Sequence, residues 1–172
     1  MRIAIIGNSG SGKSTLARWL TERTGAALLD LDTVAWVPGE IAVARAPDEA
    51  ENEVRSFCSG HKNWVVEGCY ANLVNAALAF SPRLLFLNPG EEQCLANCRA
   101  RPWEPHKYDS KDQQDTRLTF LLSWLAEYYC RAGEMSLAGH VSCFGSYVGP
   151  KRELRTVPVL TPPSPEVLTW ID

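Results

Sequence analysis

Five short apolar runs punctuate the chain, at residues 3–6, 27–31, 64–66, 83–87 and 157–160, each rich in Ile, Val or Leu and each too brief to be a helix. Between them the apolar positions recur at helical spacing. Residues 13–23 form the first such stretch, and Gly25 follows where a left-handed helix end is expected. A polar stretch over 48–59 begins after Pro47, and a helix from Gly90 carries Cys94, Leu95 and Cys98 on one side until Pro102 stops it. The clearest 3.6-residue stripe is Leu118, Leu121, Leu122, Leu125, Tyr128 and Tyr129. Further helices are predicted over 134–147 and 166–171. Strands alternating with helices predict an α/β domain of three layers, with five parallel strands in the order 2-3-1-4-5 and the first strand central. A chain of 172 residues, 45% apolar and 22% charged, fits one such domain with a sizeable core.

The first run leads into Gly7, Asn8, Ser9, Gly10, Ser11, Gly12, Lys13, Ser14 and Thr15. Gly7, Gly12, Lys13 and Ser14 match G-x-x-x-x-G-K-[ST], with a strand before and a helix after as that motif requires. Glycines let consecutive amides turn inward around phosphate oxygens, and the helix start adds its positive dipole end. The nine residues are therefore assigned to the phosphates of ATP, with Lys13 reaching the β and γ groups and Ser14 supplying a hydroxyl to Mg²⁺.

Carboxylates are expected opposite this loop. Read as an extension of the second strand, Asp30 and Asp32 share one side of the carboxyl edge, where ligands bind in open parallel sheets. They are candidates to hold Mg²⁺, the role given to Asp30, or to accept a proton from an acceptor hydroxyl, the role given to Asp32. Glu67 closes the third strand and, with Ser14, is the preferred metal-side acid, whereas Asn88 at the end of the fourth strand is neutral and followed by proline. Residues 33–63 read as a flap over the acceptor, because the helix within them has only Val54, Phe57 and Cys58 as strongly apolar positions, and Trp36 is placed in the acceptor pocket. Residues 102–116 contain two prolines and no apolar period, and Arg99, Arg101 and Arg117 border them. That pattern predicts a lid, mobile without ligand and closing over a triphosphate with its arginines on the transferring group.

The formal charge of −3 provides no global field for a nucleic-acid backbone, so direct nucleic-acid binding is not expected. No apolar run approaches the roughly 20 residues of a membrane span, and no charged leader precedes the first strand, which predicts a soluble cytoplasmic protein. The six cysteines lack zinc-finger spacing and read as free thiols. Oligomeric state is left open.

The phosphate loop, the Leu31-Asp32-Thr33 segment with Trp36 and Pro38-Gly39, the Val66-Glu67-Gly68-Cys69-Tyr70 strand end and the arginine-bordered lid together resemble the bacterial DNA topology modulation proteins, relatives of adenylate kinase within the nucleoside- and shikimate-kinase-like group. The resemblance covers about residues 1–130. It implies a P-loop kinase that transfers the ATP γ-phosphate to a small acceptor, with Mg²⁺ as cofactor, and an adenine site near 150–156 and 161–163. The chain departs from the family in having Glu67 where an Asp is common and Ala71-Asn72 where an Arg is common. Asp30-x-Asp32 is instead similar to shikimate- and gluconate-type kinases, whose acceptor is a hydroxyl. A nucleotide-dependent regulator that hydrolyses ATP slowly is the alternative the sequence allows.

Overall fold

The computed structural model describes residues 1–37, 43–101, 103 and 110–170. Five strands, β1 (Arg2–Gly7), β2 (Ala27–Asp30), β3 (Trp64–Gly68), β4 (Arg83–Leu87) and β5 (Lys151–Leu154), form one sheet in the order β2-β3-β1-β4-β5. Every pairing is parallel, as the crossover pattern predicts. The alternation of β1 divides the core. Ala4 and Ile6 face one side with Val66 and Phe86, covered by helices α3 (Pro47–Gly60), α4 (Ala71–Leu78) and α7 (Leu137–Ser146). Ile3 and Ile5 face the other with Val65 and Leu85, covered by α1 (Lys13–Thr24) and by Val167 and Trp170 at the end of the chain. Helices α5 (Glu91–Arg99) and α6 (Lys111–Ala126) form a satellite in which Cys94 and Cys98 pack against Leu125. A 3₁₀ turn, Glu127–Tyr129, extends α6.

Several elements differ from the sequence expectation, each for a physical reason. Asp32 does not continue β2. The Asp30 carboxylate accepts the Asp32 backbone N–H at 2.9 Å, which turns the chain and starts the single-turn helix α2 (Asp32–Ala35). The fifth strand lies at Lys151–Leu154, not over 157–160, because Pro158 has no N–H to give a ladder while the edge position tolerates the charges of β5. Helix α4 was not expected. Tyr70 caps it without a side-chain bond, so the usual start signal is missing. Helix α3 buries Ala50, Val54 and Cys58 completely or nearly so and is a core element, although its composition suggested a flap. Helix α6 begins at Lys111, capped by the Ser110 hydroxyl accepting the Gln113 N–H, so residues 111–116 are helical and Arg117 lies in its second turn. The rest of the expected lid, residues 102 and 104–109, together with Pro38-Gly39 and Ile171, lies outside the described residues. Among the described residues no helix is long and apolar enough to cross a membrane.

Candidate active site

The loop between β1 and α1 sits at the carboxyl edge of the central strand. Gly10 and Gly12 adopt φ of 75° and 94°, conformations open to glycine, and they turn the loop back around its own amides. Gly12 caps α1 with no side chain, so the first amides of the helix face outward without a built-in acceptor. Asn8 holds the loop from beneath. Its Oδ1 accepts the Ser9 N–H at 2.8 Å and its Nδ2 donates to the Leu125 carbonyl at 3.2 Å, tying the loop to α6. Asn97 on α5 donates to the Gly10 carbonyl at 2.8 Å. Lys13 is buried and its Nζ donates to the Asn8 carbonyl at 2.9 Å, folded back over the loop it would serve.

A cleft of about 1190 Å³ opens above this loop. Ser9, Gly10, Gly12, Lys13, Ser14 and Thr15 line it, whereas Gly7, Asn8 and Ser11 are buried beneath. Of the acidic candidates, Asp30, Asp32 and Glu67 all reach the cleft. Asp30 lies beside Glu67 in the β2–β3 register, so the two carboxylates share a face of the sheet. Asn88 does not compete with them, since its amide donates to Glu153 at 3.0 Å. Arg101, Trp103 and Arg117 line the cleft with Trp36, while Arg99 is exposed and is not part of its wall. Val157, Pro158 and Leu160 also line it, in sequence between the two stretches expected to hold adenine.

Glu67 is almost fully buried. Burial holds its carboxyl above the ordinary value, and the Asp30 and Asp32 carboxylates push the same way, against the charge of Lys13 and a hydrogen bond from the Ser14 hydroxyl. A desolvated acid paired to the hydroxyl of the phosphate loop, with two more carboxylates nearby, suits a divalent cation. Among the described residues no three His, Cys, Asp or Glu side chains are grouped closely enough to hold a metal ion by themselves.

Two hydrogen-bonded chains were not legible in the sequence. Trp36 Nε1 donates to Tyr70 Oη at 2.8 Å, and Tyr70 donates in turn to Asp32 Oδ1 at 2.8 Å, with the rings meeting edge to face at 6.3 Å. Asp32 is thereby aimed from the strand end, although it belongs to α2. Behind the cleft, His140 is fully buried, its Nε2 2.8 Å from the Cys69 carbonyl and its Nδ1 2.8 Å from Tyr128 Oη. A carbonyl only accepts, so Nε2 carries the hydrogen and Nδ1 accepts from the tyrosine. Burial lowers its pKa to about 4, which keeps the ring neutral. All six cysteines are free, and burial raises Cys69 to about 12 and Cys58, Cys94 and Cys143 to about 11, which leaves these thiols unreactive at neutral pH.

A family model described as an AAA domain matches residues 3–117. No curated protein matches the chain by sequence. Among solved structures the fold is similar to an unliganded sugar kinase from a Janibacter species, with a TM-score of 0.56 and 16% identity over 99% of this chain and 94% of that one. It is also similar to a gluconokinase from Sinorhizobium meliloti, TM-score 0.54 and 17% identity over 99% and 90%. A deoxyadenosine kinase from M. mycoides with bound dATP gives a TM-score of 0.52 and 13% identity over 98% of each chain. At such identities the likeness is one of fold.

Proposed function

We propose that this chain, which belongs to the AAA domain family, is an ATP- and Mg²⁺-dependent phosphotransferase acting on a hydroxyl of a small molecule. Its motifs resemble those of the DNA topology modulation proteins. The observation that carries the reading is the meeting of the phosphate loop with three carboxylates of distinct surroundings: Glu67 buried on Ser14, Asp30 bound to the Asp32 amide, and Asp32 held by Tyr70 at the open side of the cleft. A fold shared with sugar, gluconate and deoxyadenosine kinases is consistent with it.

The roles follow from position. The Ser9 and Ser11 amides are held within the loop by Asn8, so the amides of Gly10 and of residues 12–15 at the α1 start bind the β and γ phosphates, and Lys13 exchanges the Asn8 carbonyl for a phosphate oxygen. Ser14 and Glu67, with Asp30 behind them, would hold Mg²⁺, which offsets charge on the transferring group. Asp32 orients the acceptor hydroxyl and takes its proton as the oxygen attacks the γ-phosphorus, while the bond from that phosphorus to the β–γ bridging oxygen breaks and ADP leaves. Arg101 and Arg117 supply fixed positive charge from the β4 side of the cleft. Such a protein works in the cytoplasm, where ATP is abundant and free thiols persist.

The experiment is ADP formation from ATP and Mg²⁺, with and without pooled small hydroxyl compounds. Stimulation by an acceptor supports the kinase. Turnover that ignores every acceptor identifies a regulatory ATPase instead.

A further inference from the structure

The phosphate loop is seated on α5. A Cβ placed on Gly10 would collide with the Cys94 carbonyl oxygen and lie 2.9 Å from Cys98 Sγ, so the loop backbone rests directly on that helix. At the same contact the Asn97 amide donates from Nδ2 to the Gly10 carbonyl at 2.8 Å. A carbonyl only accepts, so Asn97 must turn its nitrogen to Gly10 and its oxygen away. That oxygen accepts from Gln93 Nε2 at 2.8 Å, one turn earlier on α5, which fixes the amide in the orientation the loop needs. The other end of the same peptide is fixed as well, because the Ser11 N–H donates to the Asn8 carbonyl at 3.2 Å. The plane of the Gly10–Ser11 peptide is thus held at both its oxygen and its nitrogen.

The orientation of that plane decides what the loop offers an anion. Gly10 and Gly12, at φ of 75° and 94°, stand on either side of Ser11, and glycines put little penalty on a peptide flip. A flipped plane would turn the Gly10 carbonyl away from α5 and into the loop, where its partial negative charge opposes phosphate and breaks the concave array of amides. We infer that Asn97, oriented by Gln93, is a positioning residue that holds the Gly10 carbonyl on α5 and so keeps the loop in its phosphate-binding form before nucleotide arrives. The inference rests on the nucleotide-binding part of the proposed function. Neither side chain belongs to the G-x-x-x-x-G-K-[ST] motif, and Gln93 is exposed. Their effect reaches the ligand as affinity, because a loop already in shape has less to reorder when phosphate binds.

The test is calorimetry with ATP and with tripolyphosphate, a probe confined to the phosphate site, on the wild type, Asn97→Leu, Gln93→Leu and the double variant. Asn97→Leu keeps the size of the side chain and removes the donor; it should weaken both ligands by the same factor, about tenfold. Gln93→Leu should weaken both by about threefold in the wild type and add nothing in the Asn97→Leu background. A wild type that binds neither ligand overturns the nucleotide-binding reading and this inference with it. Wild-type affinity in Asn97→Leu, a loss confined to ATP, or additive losses in the double variant overturns the inference and leaves that reading standing. Should Asn97→Leu fail to fold, Gln93→Leu at its exposed position decides alone: an equal loss of both ligands supports the inference, and any other pattern overturns it.

Discussion

His140 gives a pH prediction with a worked sign. In the unfolded chain its pKa is near 6.5, whereas in the fold burial against Phe86 and between Tyr128 and the Cys69 carbonyl lowers it to about 4. Above pH 6.5 both states are neutral and the contribution is fully present. As pH falls below 6.5 the unfolded chain takes up a proton that the folded chain refuses, so stability declines until about pH 4 and then levels off. The gap between the two values corresponds to about 3 kcal/mol in total, of which about 1 kcal/mol is lost between pH 7.5 and 5.5. Glu67 works in the opposite direction, because its folded pKa is raised and lower pH favours the fold. A control is therefore needed. His140→Gln can still donate to the Cys69 carbonyl but does not titrate, and it retains the Glu67 effect. Urea unfolding of both proteins at pH 7.5 and 5.5 should show the wild type losing about 1 kcal/mol more than the variant. Parallel losses in the two proteins would refute the neutral, desolvated histidine.

Lys13→Ala should fold and lose nucleotide-induced stabilisation, which for ATP at ~100 times its dissociation constant is about 2.7 kcal/mol; an unchanged ATP-dependent melting shift removes the phosphate-loop assignment. Glu67→Gln should abolish the strengthening of ATP binding by Mg²⁺ while leaving metal-free binding within a few fold, measured by calorimetry with and without the metal. Tyr70→Phe strips Asp32 and Trp36 Nε1 of their shared partner and should cost about 1–3 kcal/mol of stability, with a fall in kcat larger than the change in KM for ATP. Arg101→Ala and Arg117→Ala should each slow turnover with little effect on ATP affinity, on the order of 10²-fold if the guanidinium meets the transferring phosphate; full activity in both variants takes the arginines out of the mechanism.

The sheet was legible because its signals are local. A β-branched run before a glycine loop and a lysine names the central strand, and the alternation of Ile3 and Ile5 against Ala4 and Ile6 requires helices on both faces. The position of Glu67 on the cleft was legible for the same reason, as an acid closing an apolar strand. Asp32 reaches the cleft from a helix and not from a strand, since period-two reasoning assumes extended backbone and the Asp30 carboxylate turns that backbone. The fifth strand was missed because an edge strand such as Lys-Arg-Glu-Leu buries only its last residue strongly and leaves almost no hydrophobic trace. The Trp36–Tyr70–Asp32 chain joins residues 34 and 38 positions apart, and His140 meets Cys69 across 71 positions. No spacing rule reports such contacts. Only the strand order, which sets β3 beside β2, brings the first chain together.

Transfer to an acceptor, as opposed to loss of phosphate to water, is the point on which the account stands. Phosphorus NMR of ATP, Mg²⁺, the protein and an acceptor from the stimulating pool follows both fates at once. The account predicts a phosphomonoester resonance that grows in step with ADP, disappears with Asp32→Asn, and leaves inorganic phosphate a minor product. ADP accompanied by inorganic phosphate alone, at the same rate with and without the acceptor, would contradict it.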